Sequence, residues 1–401
     1  MSKKTSIPVE GGMPVHELSM TVPMLLNRST VLYGSTDTGK THVIKHIMNL
    51  LSGTIDEVVV ICPTHVANRT YEGIVPEALI HYSITSSPAV VMDVPGGAGR
   101  SRRAPRQDPL VLLNQIWKRQ EIKASIYNKI NNVGVLRRLY QHQPSARVNA
   151  ILESIDSMYE KIVFKVQRKY DNKPGESGKL HNDMIKIRED RKNILIKIYR
   201  IALKEIIATG LFERINNMLT DDEYFTLLHF EFNPHLLLML DDCGSELKEH
   251  MKSDIFRKLF YQSRHENITV VISCQDDTDL TTNFRKNTTI SIFTDPTVAT
   301  ANFTRSSNNY SKAVQKNITN IITSVYSVKN RVLVYIRKQR EFFYMIAPTH
   351  VPVMFGSRRL IALCNAITSD SSALDQENPY YKFFSPSRGS KSTHFRDRIS
   401  K

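Results

Sequence analysis

Eight consecutive residues, Gly34-Ser35-Thr36-Asp37-Thr38-Gly39-Lys40-Thr41, carry the spacing needed to hold a polyphosphate. A backbone that curls around a β-phosphate with its N–H groups inward needs glycine at its tight positions, here Gly34 and Gly39. Lys40 would reach the β- and γ-phosphates of ATP, and the Thr41 hydroxyl would ligate Mg2+. A helix starting at Lys40 would add the positive end of its dipole to the anion site. The alternative is a glycine turn without function.

A second requirement is a carboxylate at the tip of a buried strand, to hold the water shell of Mg2+. Asp241 meets it, at the end of the apolar run Leu236 to Leu240. Asp242 stands beside it, where a second carboxylate could orient and deprotonate the attacking water. The same acidic pair could instead cap a helix beginning near Ser245-Glu246. Gln275 ends the next apolar run, where a neutral amide could sense the γ-phosphate; a loop glutamine is the plain alternative. Arg257, Arg264, Arg285 and Arg305 are candidates for a finger on a neighbouring subunit's γ-phosphate, Arg264 first among them, although most arginines are surface residues. His65, His235 and His265 show no metal-ligand spacing. Trp117 could stack on a base or, more plainly, be a partly buried anchor.

The elements around these residues fit their roles. Thr30 to Tyr33 reads as a strand stopping at Gly34, and Val43, Ile44, Ile47 and Leu51 recur at helical spacing. Glu57 to Cys62 reads as the next strand. Strand, loop, helix and strand in that order make a βαβ unit, and so a parallel sheet. Further strands are expected over His235–Leu240, Asn267–Cys274 and Thr289–Phe293, with a late hairpin of Arg331–Arg337 and Glu341–Ile346. A helix is expected from Glu246 to Ser263. The chain at 94–106 is a glycine- and arginine-rich loop, and 109–218 is helical, with helices near 109–140, 145–170 and 180–209. The expected division is 1–95 and 219–355 as two parts of one ATPase core, 96–218 as a basic helical insertion and 356–401 as a tail. The expected fold class is therefore α/β, a P-loop NTPase with a mostly parallel sheet flanked by helices and a long basic α-helical insertion.

Composition limits the function classes. The 401 residues carry a net charge of +15, and residues 99 to 205 hold 24 Lys and Arg against 11 Asp and Glu. Such concentration favours a polyanion partner, because Lys and Arg displace counterions condensed on phosphates; a merely basic solvated surface is the alternative. No run of about 18 apolar residues exists, so no membrane span is expected, and the N-terminus does not read as a secretory signal. The four scattered cysteines fit reduced core positions in an intracellular protein, not a disulfide framework.

Val31 to Thr41, the Leu-Leu-Leu-Met-Leu-Asp-Asp run at 236–242, Arg264-His265-Glu266-Asn267-Ile268-Thr269 and the Val-Val-Ile-Ser-Cys-Gln run at 270–275 together resemble one family. It is that of the genome-packaging ATPases of large double-stranded DNA viruses, the poxvirus-type branch of the FtsK–HerA superfamily. Arg285-Lys286-Asn287 is similar to the family's segment after that strand. The resemblance covers about 20–95 and 230–350, not the insertion or the tail, and Asp241-Asp242 stands where the family often has Asp-Glu. It implies that Lys40 and Thr41 bind ATP and Mg2+, Asp241 binds Mg2+, Asp242 activates water and Gln275 senses the γ-phosphate. It further implies a homo-oligomeric ring, hexamer or pentamer, that pumps double-stranded DNA into a capsid, with capsid or portal proteins as partners. The setting would be virus assembly sites in the host cytoplasm or nucleus, or the virion. A replication-type helicase and a nucleotide-binding assembly scaffold with little turnover stand as alternatives.

Overall fold

Each of the expected long strands is present, and the central ones are buried along their whole length, as strands covered on both faces must be. The computed structural model describes residues 5–10, 14–85, 110–141, 144–171, 174–208, 233–350 and 353–369. Its strands are β1 (Ser6–Ile7), β2 (Val15–Glu17), β3 (Ser29–Tyr33), β4 (Glu57–Ile61), β5 (Ile80–His81), β6 (Leu236–Asp241), β7 (Ile268–Cys274), β8 (Ile290–Phe293), β9 (Arg331–Ile336) and β10 (Glu341–Ile346). They form one sheet in the order β1-β2-β10-β9-β8-β3-β7-β6-β4-β5. From β8 through β3, β7, β6 and β4 to β5 all pairings are parallel, whereas β8–β9 and β9–β10 are antiparallel. The short strands β1, β2 and β5, at or next to the edges of the sheet, carry too few residues to show any periodicity.

The chain divides into two compact units, Met1–Glu121 with Asn233–Lys401, and Ile122–Phe232. The first contains the whole sheet. Within it the helix Lys40–Leu51 buries Val43, Ile44, Ile47 and Leu51, the i, i+1, i+4, i+8 face that the sequence shows. The expected single helix over Glu246–Ser263 is two, Gly244–His250 and Asp254–Tyr261. The break falls at Ser253, whose extended backbone (φ −67°, ψ 155°) makes it the N-cap of the second helix, ahead of Asp254 in the first turn.

The second unit is a helical hairpin with a small apolar base. The helices Ala146–Tyr170 and Ser177–Ala208 run antiparallel, since Asp156 pairs with Arg191 and Tyr170 bonds to Asp183. Leu136, Leu139 and Tyr140 of the helix Val133–Gln141 pack with Val148, Tyr199 and Leu203 at one end. A hydrogen bond from the Tyr140 hydroxyl to the Asn149 side chain (2.8 Å) fixes that end. The expected helix 109–140 is interrupted after Ile130, where Asn132 accepts from the N–H of Gly134 and starts the next helix. The loop at 94–106 and the tail after Ser369 lie outside the described residues. No helix among the described residues is long and apolar enough to cross a membrane.

Candidate active site

The parallel register decides which side chains meet. Tyr33, the last residue of β3, pairs with Cys274, the last of β7, and Asp241 at the end of β6 pairs with Ser273. The loop after Tyr33, the acidic pair 241–242 and Gln275 therefore leave the sheet at one edge, the carboxyl ends of adjacent strands.

Gly34 is buried, and a Cβ there would run into the hydroxyls of Thr294 and Thr38, so a side chain at this position would displace both. Asp37 and Gly39 take left-handed backbone (φ 61° and 94°), which curls the loop into the helix Lys40–Leu51. Ser35, Thr36, Asp37, Gly39 and Thr41 are exposed, Thr41 on the first helical turn. Lys40 Nζ donates to the carbonyls of Gly34 and, at 2.9 Å, Ser35, closing the loop on itself. Burial lowers the Lys40 pKa, against the opposing pull of Asp241 and Asp242.

Asp241 is buried and accepts from the Tyr71 hydroxyl at 2.7 Å, with Cys62 Sγ 3.9 Å from the same carboxylate oxygen. Burial, then the carboxylate of Asp241, pushes the Tyr71 phenol well above its ordinary range, so it stays a donor. Asp242 has a left-handed backbone (φ 55°) that turns it away from the strand direction, and its Oδ1 accepts from Gln275 Nε2 at 2.9 Å. The N–H groups of Gln275 and Asp276 both donate to Asp279 Oδ2 at 3.1 Å, and Lys248 pairs with Asp279 at 2.9 Å. The chain leaving β7 is thus tied down on its backbone while the Gln275 side chain reaches across to the acidic pair.

The Thr41 hydroxyl and the Asp241 carboxylate are hard oxygen donors, the kind Mg2+ takes one or two of while keeping waters and substrate phosphates as its other ligands. No cluster of three or more His, Cys, Asp or Glu suited to a metal occurs among the described residues. The donor set therefore fits Mg2+ arriving with a nucleotide.

The arginines divide. Arg285 is buried, donating to the carbonyls of Asp277 (2.6 Å) and Leu280 (3.0 Å) and to Asn308 Oδ1 (2.9 Å). Arg305 grips Asp277 with two bonds, of 2.8 and 3.0 Å. Both are occupied inside their own chain. Arg257 is exposed and pairs with Asp254 at 3.5 Å. Arg264 is exposed and precedes β7, at the opposite end of that strand from Gln275; the structure does not bring it to its own chain's phosphate loop. Trp117 is buried in the sheet-containing unit with its Nε1–H on Glu121 (2.6 Å), which leaves no face for a base.

Three residues escaped the sequence reading. Tyr71 lies in irregular chain 170 positions from Asp241, and no local pattern links them. Thr294 Oγ1 lies 2.7 Å from Thr38 Oγ1, and Asp295 Oδ2 accepts from the Ser35 hydroxyl. Asp295 also caps the helix Pro296–Thr304 through the N–H groups of Thr297 and Val298 (2.7 and 3.4 Å). Burial alone would raise its pKa, but the bonds from Ser35, Thr297 and Val298 outweigh that and lower it. Asp295-Pro296 directly after an apolar strand is a helix-start signal, and it was the one local clue.

No family model matches the chain. Among solved structures, the DNA-packaging ATPase B204 of Sulfolobus turreted icosahedral virus superposes with a TM-score of 0.33 at 11% identity, over 81% of this chain and all of that one. The pCW3 conjugation coupling protein TcpA does so at 0.34 and 11%, over 92% of this chain and 70% of that one. In sequence the chain is 34% identical over 382 residues to an uncharacterized protein, B354L, of African swine fever virus isolate Tick/Malawi/Lil 20-1/1983, and equally to that of the Badajoz 1971 strain. Each alignment spans 94% of this chain and 99% of the relative. With nearly the whole length of both chains aligned at that identity, the chain belongs to the family of the African swine fever virus protein B354L.

Proposed function

We propose that the protein is an ATPase that moves double-stranded DNA, and that the DNA is a viral genome driven into its capsid. One observation carries the enzymatic part: Lys40, Asp241, Asp242 and Gln275, far apart in sequence, leave one edge of a parallel sheet beside a glycine loop that can hold phosphates. In the reaction, the loop N–H groups and Lys40 hold the β- and γ-phosphates, Lys40 exchanging its loop carbonyls for phosphate oxygens. Asp242 accepts a proton from water as the water oxygen attacks the γ-phosphorus. The bond to the β–γ bridging oxygen breaks, and ADP and phosphate leave. Mg2+ between Thr41 and Asp241 would neutralise phosphate charge. Gln275, bonded to Asp242, reports whether a γ-phosphate is present. Arg264, remote from its own loop, acts on the neighbouring subunit of a ring.

The DNA part rests on the helical unit. On Ala146–Tyr170 the residues Arg147, Lys161, Lys165 and Arg168 are exposed at intervals of whole turns and 3 or 4 residues, one face of a helix. Phe164 is 55% exposed beside them, with the Arg168 guanidinium 4.6 Å from its ring centre. Such a face suits a phosphate backbone better than a protein core. Not all the basic charge takes part, since Arg119 is buried in an ion pair with Glu57. The capsid, a portal protein and the virus assembly site complete the reading, in keeping with the viral source of the relatives.

The test is ATP hydrolysis by the full chain without nucleic acid, with blunt duplex and with single-stranded DNA, beside Lys40→Ala. Stimulation by duplex that vanishes in Lys40→Ala supports the packaging motor. Preference for single strands points to a helicase, and binding without turnover under all three conditions points to a scaffold.

A further inference from the structure

The helix Pro296–Thr304 touches both halves of the candidate active site. At its start, Asp295 holds the Ser35 hydroxyl with one carboxylate oxygen and caps the helix with the other. Thr294 meets Thr38 and fills the space above Gly34. At its end, Asn302 Nδ2 lies 3.4 Å from Asp277 Oδ2, and Arg305, the C-cap, holds the same carboxylate with two bonds. Asp277 is wholly buried and stands two residues beyond Gln275, in the turn whose backbone Asp279 fixes. The two ends lie about 13 Å apart at the α-helical rise.

The helix between them has no freedom to shift alone. Ala299 and Phe303 are fully buried. The Phe303 ring packs against Phe293, Tyr310, Tyr335 and Phe342 with centroids 4.7–5.5 Å apart. A close-packed helix bonded at both ends transmits displacement instead of absorbing it.

We infer that this helix is a strut that sets the phosphate loop and the Gln275 turn at one fixed distance, with Asp295 and Arg305 as its positioning residues. Neither touches the reacting atoms. Their contribution is that the Ser35 end of the loop and the amide of Gln275 move together, so a loop displaced by nucleotide carries its sensor with it. The inference rests on the ATPase reading of the site.

The experiment is a double-mutant cycle on kcat, measured on the full chain with saturating ATP. Asp295→Asn keeps the helix cap but removes the charged acceptor of Ser35; Arg305→Ala cuts the other end at a partly exposed position. Each should lower kcat about ten-fold through misplacement of the reacting groups. Together they should lower it by about the same ten-fold, because either change loosens the one strut, whereas unconnected sites this far apart would multiply to about a hundred-fold. Arg305→Lys should recover part of the rate, and binding of a fluorescent ATP analogue should change less than kcat in Arg305→Ala. Multiplicative losses, or kcat unchanged in either single variant, would overturn the strut while leaving the ATPase reading intact. Absence of any Lys40-dependent hydrolysis in the wild type would overturn the ATPase reading itself, and the strut with it.

Discussion

Gln275 donates from Nε2 to Asp242 Oδ1 across 2.9 Å, so the amide at the end of β7 holds the second carboxylate at the end of β6. Asp242 is in left-handed backbone, a conformation that costs a non-glycine residue on the order of 1 kcal/mol or more and is kept where the surroundings enforce it. The bond therefore links the two residues proposed above to act on the water and on the γ-phosphate.

Asp242→Asn is expected to lower kcat by roughly 10²–10⁴-fold, the usual contribution of a positioned base, while nucleotide binding persists. A steady-state assay beside fluorescent-nucleotide titration separates the two effects. Hydrolysis at the wild-type rate would remove Asp242 from the mechanism.

Gly34→Ala should abolish nucleotide binding. Its methyl group would run into the Thr294 and Thr38 hydroxyls, so those side chains or the loop that carries them must shift. Titration with a fluorescent ATP analogue, alongside far-UV circular dichroism to establish folding, measures this. Wild-type affinity in a folded variant would contradict the contact.

Tyr71→Phe removes the hydroxyl that donates to the buried Asp241 carboxylate. A buried carboxylate that keeps only the weak Cys62 thiol contact should cost about 1–3 kcal/mol, seen as a fall in Tm. The Mg2+ concentration for half-maximal nucleotide binding should rise about ten-fold, as for other groups that orient a metal ligand. If stability falls but the Mg2+ dependence stays put, Tyr71 supports the fold only.

His81 on β5 is held neutral, its pKa lowered to about 3 by burial first and by Arg119 second. In the unfolded chain it titrates near the ordinary 6.5, so below that pH the unfolded state takes up a proton that the folded state refuses. Stability should therefore fall as pH drops from about 6.5 towards 3 and be unaffected by His81 above that window. His81→Gln should flatten this part of a Tm-against-pH curve. An unchanged acid slope would show that other groups set it.

The candidate phosphate loop was legible because the chemistry it would do is local. Glycines at 34 and 39, Lys40 and Thr41 must follow one another for a backbone to wrap a phosphate, and the strand before and helix after them show their own periods. Asp241 and Gln275 were legible for a related reason: a buried parallel strand is an unbroken apolar run, and the polar residue ending it marks the edge of the sheet. What the tertiary structure alone decided is which of these ends lie together and what supports them. Register brought Asp241 and Gln275 to the loop after Tyr33, and packing brought Tyr71 and Asp295 to positions that no spacing along the chain could show. It also sorted the arginines, since Arg285 and Arg305 look like any surface arginine until the buried carboxylate of Asp277 is placed between them. Periodicity reports which face a residue takes on its own element; hydrogen bonds between elements depend on side-chain contacts across hundreds of positions, which only the packed chain defines.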